Sequence, residues 1–326
     1  MFNRGCSLPL QRVLTDFGAD VPFAQAAEKV REHYGIVLPV STIRRLTQHH
    51  AKALYEDQEL ATAWPTVAGS PVIVAEMDGG MVPVVEPDPL SSDKRKGKTL
   101  LWKEARLCLA HRQGSTELVY GGTFSGGISE AGQHLYHCAV TAGFGKSSQL
   151  HAVGDGAPWI ADEVEGRFGG QGSYLVDFYH LCEYLAAAAK SCAPQAQAWL
   201  TQQKDLLKTN QSEAVLQALH PHLEPDTVGD EQAPVRKAYR YISNRRDQLD
   251  YQGAIHQKLP IGSGEIESAH RYVAQQRLKR PGAWWTPDNV DYMLALRLNR
   301  ANHLWSQYWR KTEGVHRSKP SQVTSV

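Results

Sequence analysis

Apolar side chains recur at every third or fourth position near the start of the chain. Over residues 22–36 they share one helix face: Phe23, Ala26, Ala27, Val30 and Tyr34. Gly35 ends this pattern, and a second helical segment over residues 41–54 has Ser41 as its predicted N-cap. Two helices around a glycine-containing turn indicate a helix-turn-helix, although two helices that only pack together have the same pattern.

The second of these helices carries side chains suited to DNA. Arg44 and Arg45 are cations, and Gln48 offers an amide one helical turn later. If the segment is a helix-turn-helix, this helix is the one that enters the major groove. We therefore expect these three residues to contact DNA.

Beyond a Pro/Gly boundary at residues 63–71, short apolar runs replace the helical spacing. The run PVIVAEMDGGMVPVV predicts a strand that ends at Asp78, and LHAVGDGAPWI predicts one that ends at Asp155 before a helix with Pro158 near its start. A third strand, in SYLVDFYHL, leads into a helix. Two more strands are predicted around residues 100–110 and 116–124, and a helix over residues 129–143.

The last part of the chain shows only helical patterns. Residues 194–256 are polar with no strand signal, and two further helices are predicted over residues 263–280 and 287–310. The order of elements predicts a mixed α/β core that is interrupted late by helices, preceded by an all-α unit.

The charge is close to balanced overall but unevenly distributed. The net charge is +1 at pH 7, whereas residues 93–106 are strongly basic and residues 268–311 hold eight Lys/Arg against two acids. Basic patches on a neutral chain suit local contacts with phosphates. A solvated basic face would have the same composition.

The chain also carries signals about its compartment. It has no apolar run of about 18 residues, which a membrane-spanning helix would need. Its five cysteines form no CxxC pair, which favours a reducing compartment over a disulfide framework. We expect a cytoplasmic protein without a membrane partner.

Carboxylates mark the most specific candidate site. Asp78 and Asp155 are each expected at a strand end before glycine, where ligands or metals often approach the backbone. Taken singly, each aspartate reads more simply as a turn residue. With a later glutamate they would form a set of clustered oxygens, which hard divalent cations require.

Two glutamates compete for the third position. Glu265 and Glu267 follow Ser263, the predicted N-cap of their helix. Positions i and i+2 lie about 200° apart around a helix, so at most one of the two can face a given site. The segment alone leaves the choice open.

A second polar pair follows the third strand. Asp177 and His180 lie three residues apart and would share a helix face, where they could position DNA or a scissile phosphate. Alternatively, Asp177 only caps the helix and His180 packs beside it.

Four segments in order resemble the DDE transposases of bacterial insertion sequences, most nearly the ISKra type. They are VAEMDGGMVPV, VGDGAPWI, DFYHLCEYL and LPIGSGEIESAHRYVAQQRLKRPGAWW. The resemblance runs from about residue 10 to residue 310. It implies a core similar in fold to ribonuclease H, with acids after the first and fourth strands and on a late helix.

Carried over by position, the resemblance assigns the catalytic acids. They are Asp78, Asp155 and Glu267, because Glu265 falls on a variable position of the Gly-Ser-Gly-x-x-Glu-Ser pattern. His180 matches an Asp-x-x-His signature of related transposases, with Asp177 as a supporting residue. The late helix would bring further DNA contacts from Arg271, Arg277, Lys279 and Arg280.

The resemblance also implies a domain organisation. A helix-turn-helix region would span residues 1–64, and the first part of the ribonuclease H-like core residues 65–180. A helical insertion would span residues 181–258. Residues 259–326 would hold the returning core helix with the third acid, a C-terminal helix and a tail.

The expected function is therefore transposition. The three acids would hold two Mg²⁺ or Mn²⁺ ions. The protein would bind double-stranded DNA at the terminal inverted repeats and at the target, and we expect it to assemble on DNA as a homo-oligomer. The alternative is a truncated or domesticated copy that binds DNA without catalysis. A stand-alone ribonuclease H-like nuclease and, more distantly, a glycosidase with paired carboxylates are other rivals.

Overall fold

The computed structural model describes residues 5–88 and 97–318, and it begins with three helices. They are α1 (Leu8–Asp20), α2 (Phe23–Tyr34) and α3 (Val40–Glu56). Their contacts enclose a small apolar cluster of Leu14, Ala26, Val30, Ile43 and Leu46. Gly35 ends α2 in the left-handed conformation, as predicted.

The N-cap predicted for α3 is wrong. The helix begins at Val40 with Pro39 in the N-cap position, and the carbonyl of Pro39 accepts a hydrogen bond from Thr42 N at 2.9 Å. Because the N-cap lies two residues earlier than predicted, Ser41 is already helical.

A five-stranded mixed sheet forms the centre of the molecule. Its strands are β1 (Val72–Pro87), β2 (Lys98–Arg112), β3 (Val119–Thr123), β4 (Gln149–Gly154) and β5 (Gly172–Val176). The spatial order is β3-β2-β1-β4-β5. Strands β1, β2 and β3 pair antiparallel, whereas β4 pairs parallel to both β1 and β5.

The first strand does not end at Asp78, in contrast to the prediction. It continues through Gly79 and Gly80 in a long antiparallel ladder with β2 that reaches Pro87. Only the ladder with β4 stops early, at the pair Glu76–Val153. Asp78 therefore lies just beyond the parallel part of the sheet while its strand continues.

Helices cover both faces of the sheet. On one face, α4 (Ile128–Ala142) and α5 (Pro158–Phe168) share an apolar cluster with Ile73 and Met77 of β1. Pro158 occupies the first turn of α5, as predicted. On the other face, Val82 and Val84 of β1 pack with the late helices.

A helical block follows β5. It comprises α6 (Phe178–Cys192), α7 (Ala196–Lys208), α8 (Ser212–Leu219), α9 (Pro234–Ser243) and α10 (Tyr251–His256), with short 3₁₀ turns between them. These helices share one apolar cluster with Leu175 and Val176 of β5. The block is therefore joined to the sheet edge, and its all-helical character matches the sequence pattern.

Each of the two last predicted helices is interrupted. The first consists of α11 (Gly264–Ala269), a π-helical segment (His270–Gln275) and α12 (Gln276–Leu278). The second divides into α13 (Pro287–Ala301) and α14 (Trp305–Ser318), with His303 between them at φ 58°.

The fold class is mixed α/β. No helix within the described ranges combines the length and apolarity that crossing a membrane requires.

Candidate active site

A small polar cavity of about 160 Å³ opens where the sheet, α6 and α11 meet. Its lining residues are Asp78, Asp155, Asp177, His180, Ser263 and Glu267. All four residues predicted to be catalytic therefore lie around one cavity, together with Asp177. They come from five places in the chain: β1, the turn after β4, the start of α6, the turn before α11, and α11 itself.

The sheet register brings the two aspartates together. Val72 to Glu76 pair with Gln149 to Val153 in the parallel ladder, so Asp78 and Asp155 occupy equivalent positions two residues beyond its end. Asp78 Oδ1 accepts a hydrogen bond from Gly79 N at 2.7 Å. Asp155 Oδ1 accepts one from Ala157 N at 2.9 Å, which fixes the turn into α5.

The surroundings of Asp78 in this cavity disfavour its negatively charged form. Burial raises the pKa of Asp78 above its ordinary value, and the negative charge of Asp155 adds to the increase. The neighbouring His270 and the Gly79 N–H oppose the shift. A cation bound between the two aspartates would relieve this repulsion.

The two glutamates of α11 point to different surroundings. Glu267 is exposed and lines the cavity. Glu265 Oε2 instead lies 3.0 Å from Nε2 of His111 on β2. Burial lowers the pKa of His111, but the Glu265 carboxylate outweighs this effect and the pKa is raised. The placement agrees with the expectation that only one glutamate can face the site.

Asp177 has a structural task. It is 3% exposed, and its Oδ1 accepts hydrogen bonds from the N–H groups of Tyr179 and His180 at 2.6 and 2.9 Å. Its Oδ2 accepts from both the N–H and the hydroxyl of Ser263, at 2.7 and 2.6 Å. Asp177 thus caps α6 and holds the turn that leads to Glu267. In contrast to the prediction, the hydroxyl of Ser263 accepts no capping hydrogen bond from α11; it donates its hydrogen to Asp177.

His180 has a less constrained position. Its side chain is partly exposed, with Nδ1 at 3.6 Å from Glu183 Oε2. The ring lies edge-on to Tyr184 with ring centroids 5.5 Å apart. His180 therefore borders the cavity from α6 with a partly exposed side chain.

Sequence reasoning overlooked Glu76, a buried carboxylate next to the site. It is 2% exposed, and its Oε2 accepts a hydrogen bond from Ile266 N in the first turn of α11 at 2.7 Å. Burial raises the pKa of Glu76 to about 8. The available signal was an acid inside the apolar run VIVAEMDGG, on the same strand face as Asp78.

The glycines after Asp78 make room for side chains. A Cβ on Gly80 would lie 2.6 Å from Nδ1 of His270, and one on Gly79 would lie 2.2 Å from Oε1 of Glu104. His270 opens the π-helical segment, and its Nε2 lies 3.2 Å from the Asp78 carbonyl oxygen. We expected these glycines to give a ligand access to the backbone. Instead, the side chains of Glu104 and His270 occupy the space beside them.

The helical block also holds the second aspartate in place. Tyr241 of α9 donates its hydroxyl hydrogen to the Asp155 carbonyl at 2.5 Å, and Arg245 Nε donates to the Gly156 carbonyl at 2.7 Å. Gly156 has φ +83° and donates its N–H to Tyr174 at 2.9 Å. A side chain at this left-handed position would collide with Tyr241, so the turn requires glycine.

The predicted DNA-contacting residues separate into accessible and buried groups. Arg44, Arg45 and Arg271 are exposed, and Gln48, Lys279 and Arg280 are half-buried. Arg277 is only 2% exposed: its Nε donates to the Gly18 carbonyl at 3.0 Å, and its guanidinium lies over the ring of Phe23. The expectation that Arg277 contacts DNA from the surface is therefore wrong. Part of the predicted basic run, residues 93–96, lies outside the described residues.

The donor set of the cavity suits a hard divalent cation, although the ligands are not preassembled. Asp78, Asp155 and Glu267 offer carboxylate oxygens, which Mg²⁺ and Mn²⁺ prefer. Across residues 5–88 and 97–318, no three His, Cys, Asp or Glu side chains already form a closed metal-ligand group. The residue types fit such an ion, and binding would draw the carboxylates inward.

Fold and cavity define a mixed α/β protein with an acidic site just beyond the parallel ladder of β1 and β4. Residues 144–317, more than half of the chain, match the uncharacterised protein family UPF0236, and the chain belongs to this family. The matched region contains Asp155, Asp177, His180, Ser263 and Glu267, whereas Asp78 precedes it. No curated protein shows significant similarity to the chain.

Proposed function

We propose that the protein is a DDE-type DNA transposase with a ribonuclease H-like core. The observation that carries the proposal is the shared cavity of Asp78, Asp155 and Glu267. Their positions, on the first strand, after the fourth strand and on a late helix, agree with the order that the resemblance implies. The helical block between the second and third acids corresponds to the insertion domain expected there.

Asp78, Asp155 and Glu267 would hold two Mg²⁺ or Mn²⁺ ions. When bound, such a pair activates water or a 3′-hydroxyl and stabilises the leaving oxygen of a phosphodiester. Asp177 fixes the turn before α11 and so orients Glu267. His180 borders the same cavity and would contact the scissile phosphate.

DNA would be held by basic residues outside the acidic cavity. Arg44, Arg45 and Gln48 lie on α3, the second helix of the predicted helix-turn-helix. Arg271, Lys279 and Arg280 lie beyond Glu267 on the same interrupted helix or just after it. These positions support duplex binding at terminal inverted repeats and target DNA, in a homo-oligomer that assembles on DNA. A cytoplasmic location is part of the proposal.

Glu267→Gln tests the catalytic assignment. The substitution keeps size and hydrogen-bonding capacity but removes the charge needed to hold a divalent metal. Cleavage of labelled transposon-end DNA in Mg²⁺ or Mn²⁺ should fall by several orders of magnitude, while end binding is retained. Glu265→Gln is the matched control on the same helix and should stay within about tenfold of wild type, or about 1.4 kcal/mol in barrier.

The possible outcomes separate the proposal from its rivals. Cleavage that persists after exhaustive chelation, or that survives Glu267→Gln but not Glu265→Gln, contradicts the assigned mechanism. Wild-type protein that binds ends but never cuts them with any metal or end sequence tested supports a catalytically silent DNA-binding protein instead.

A further inference from the structure

A second cavity, of about 430 Å³, lies between α3, the far end of the β1–β2 hairpin and the loop before α13. Arg44 and Gln48 line it from α3, Val85 and Lys98 from the hairpin, and residues 280–286 from the loop. We call it the basic groove. Its walls come from parts of the chain more than 200 residues apart, which the fold brings together.

The charge of the basic groove is one-sided. Its lining includes four cations, Arg44, Lys98, Arg277 and Arg280, and none of the lining residues that the structure describes is an acid. The whole chain carries a net charge of only +1. The cavity around Asp78 is lined by acids and has the opposite charge, so the two sites would bind different parts of a ligand. A groove lined by several cations in this way attracts a polyanion.

One wall of the basic groove carries an exposed indole. Trp284 is 64% exposed, whereas its neighbour Trp285 is 5% exposed. The Trp285 carbonyl accepts a hydrogen bond from Val85 N at 2.8 Å, which attaches the loop to β1. The buried tryptophan thus anchors the loop and leaves the ring of Trp284 presented beside the cations. Exposed tryptophans in basic grooves are platforms for stacking nucleobases.

The buried wall offers a second, independent sign of a ligand. Arg277 is 2% exposed and lines the basic groove, with its guanidinium over the rings of Phe23 and Trp285. Among the described residues, its Nη2 has no hydrogen-bond partner. Because Nη2 is itself enclosed, Arg277 would attract an anion in the groove through its positive charge and not by a direct contact.

We propose that the basic groove binds an unpaired nucleotide of a single DNA strand. Arg44, Lys98 and Arg280 contact its phosphates, and Trp284 stacks on its base. Bases inside a duplex already stack on one another, so an indole gains a free base face only from an unpaired nucleotide. This inference rests on the proposed function for the identity of the strand as DNA.

The test measures binding of a fluorescein-labelled single-stranded DNA oligonucleotide by anisotropy. Trp284→Ala should weaken binding roughly 5- to 100-fold, the range expected for loss of one aromatic base stack, and Trp284→Phe should restore much of it. Arg44→Ala and Lys98→Ala should each weaken binding and reduce the slope of log affinity against log salt by about 0.7.

Two control variants match these changes outside the basic groove. Trp102→Ala removes a tryptophan that is 54% exposed on β2, and Arg31→Ala removes an exposed arginine on α2. Both should leave single-strand affinity within about twofold. A duplex of the same sequence and an RNA strand are the comparison ligands. Trp284-dependent affinity that appears with the duplex alone, with RNA alone, or equally with a polyglutamate peptide would overturn the inference.

The same assay separates this inference from the proposed function. If the wild type cuts transposon ends but Trp284→Ala does not weaken single-strand binding, the catalytic proposal stands and the inference about the basic groove is contradicted. If single-strand binding depends on Trp284 but the protein never cleaves DNA, the inference about the basic groove stands and the transposase proposal is contradicted. Because Trp284 is exposed, unchanged thermal unfolding of its variants should accompany either result.

Discussion

Asp177 Oδ2 accepts both the backbone N–H and the hydroxyl of Ser263, at 2.7 and 2.6 Å, across 86 residues of sequence. The same carboxylate caps α6 through its other oxygen. One buried side chain thereby joins the start of α6 to the turn that precedes α11. The position of Glu267 in the acidic cavity depends on this connection.

Ser263→Ala should therefore loosen the third acid. Asp177 would lose one of its hydrogen bonds in a buried setting, which costs about 1–2 kcal/mol in the free energy of unfolding. Urea unfolding should record that loss, and under the proposed function cleavage of transposon ends should slow because Glu267 is less well fixed. Ser268→Ala, an exposed serine on the same helix, should change the unfolding free energy by less than about 0.5 kcal/mol. Equal effects of the two variants would contradict the role given to Ser263.

Gly80→Ala should be far more damaging than Gly79→Ala. A Cβ at residue 80 would lie 2.6 Å from a ring nitrogen of His270, which is buried and cannot turn away. At residue 79 the obstructing atoms belong to the flexible end of Glu104. We expect Gly80→Ala to lower the free energy of unfolding by about 1–3 kcal/mol, as for other overpacked sites. Thermal or urea unfolding of the two variants side by side is the measurement, and equal losses would contradict this packing.

The sequence predicted most elements because their signals are local. Helical spacing located α2 and α4, and short apolar runs located β4 and β5. The prediction failed where a distant partner decided the outcome. Gly79 and Gly80 resemble a turn, but pairing with β2 keeps them extended and the space they leave is filled by Glu104 and His270.

The candidate site was likewise predictable where local geometry decides it and was missed where a distant partner decides it. Parallel strands place Asp78 and Asp155 side by side, and helix geometry allows only one of two glutamates to face them. The burial of Arg277 could not be read from its neighbours, because charged residues are usually exposed and its partners lie in α1, α2 and the loop before α13. Glu76 was missed for a similar reason: its partner Ile266 is 190 residues away.

Stability should fall in mild acid through His134 on α4. Burial, with a further contribution from His137, lowers the pKa of His134 to about 4. The unfolded chain binds a proton near pH 6.5, whereas the folded protein does so only near pH 4. The folded state therefore binds fewer protons in this window, so stability is fully present above pH 6.5 and decreases as pH falls toward 4.

Over that window the loss attributable to His134 is about 3 kcal/mol. Urea unfolding of wild type and His134→Gln between pH 4 and pH 7.5 measures it as the difference between two pH profiles. His222→Gln, at an exposed histidine, is the control and should follow the wild-type profile. A His134→Gln profile parallel to that of wild type would show that burial of this imidazole does not govern the acid response.

Arg271 and Arg277 lie six residues apart on one interrupted helix. Alanine substitution should affect DNA binding at Arg271 and stability at Arg277. Arg271 is exposed, so Arg271→Ala should leave the free energy of unfolding within about 0.5 kcal/mol. Under the proposed function it should also weaken binding to transposon ends and reduce the slope of log affinity against log salt by about 0.9. Arg277→Ala removes the contacts to Gly18 and to the ring of Phe23, and should cost about 2–4 kcal/mol in unfolding free energy. Urea unfolding and anisotropy titrations at several salt concentrations measure both quantities on both variants. Because α12 packs against α1 through Arg277, an unchanged unfolding free energy for Arg277→Ala would mean that the N-terminal helices are held by other contacts.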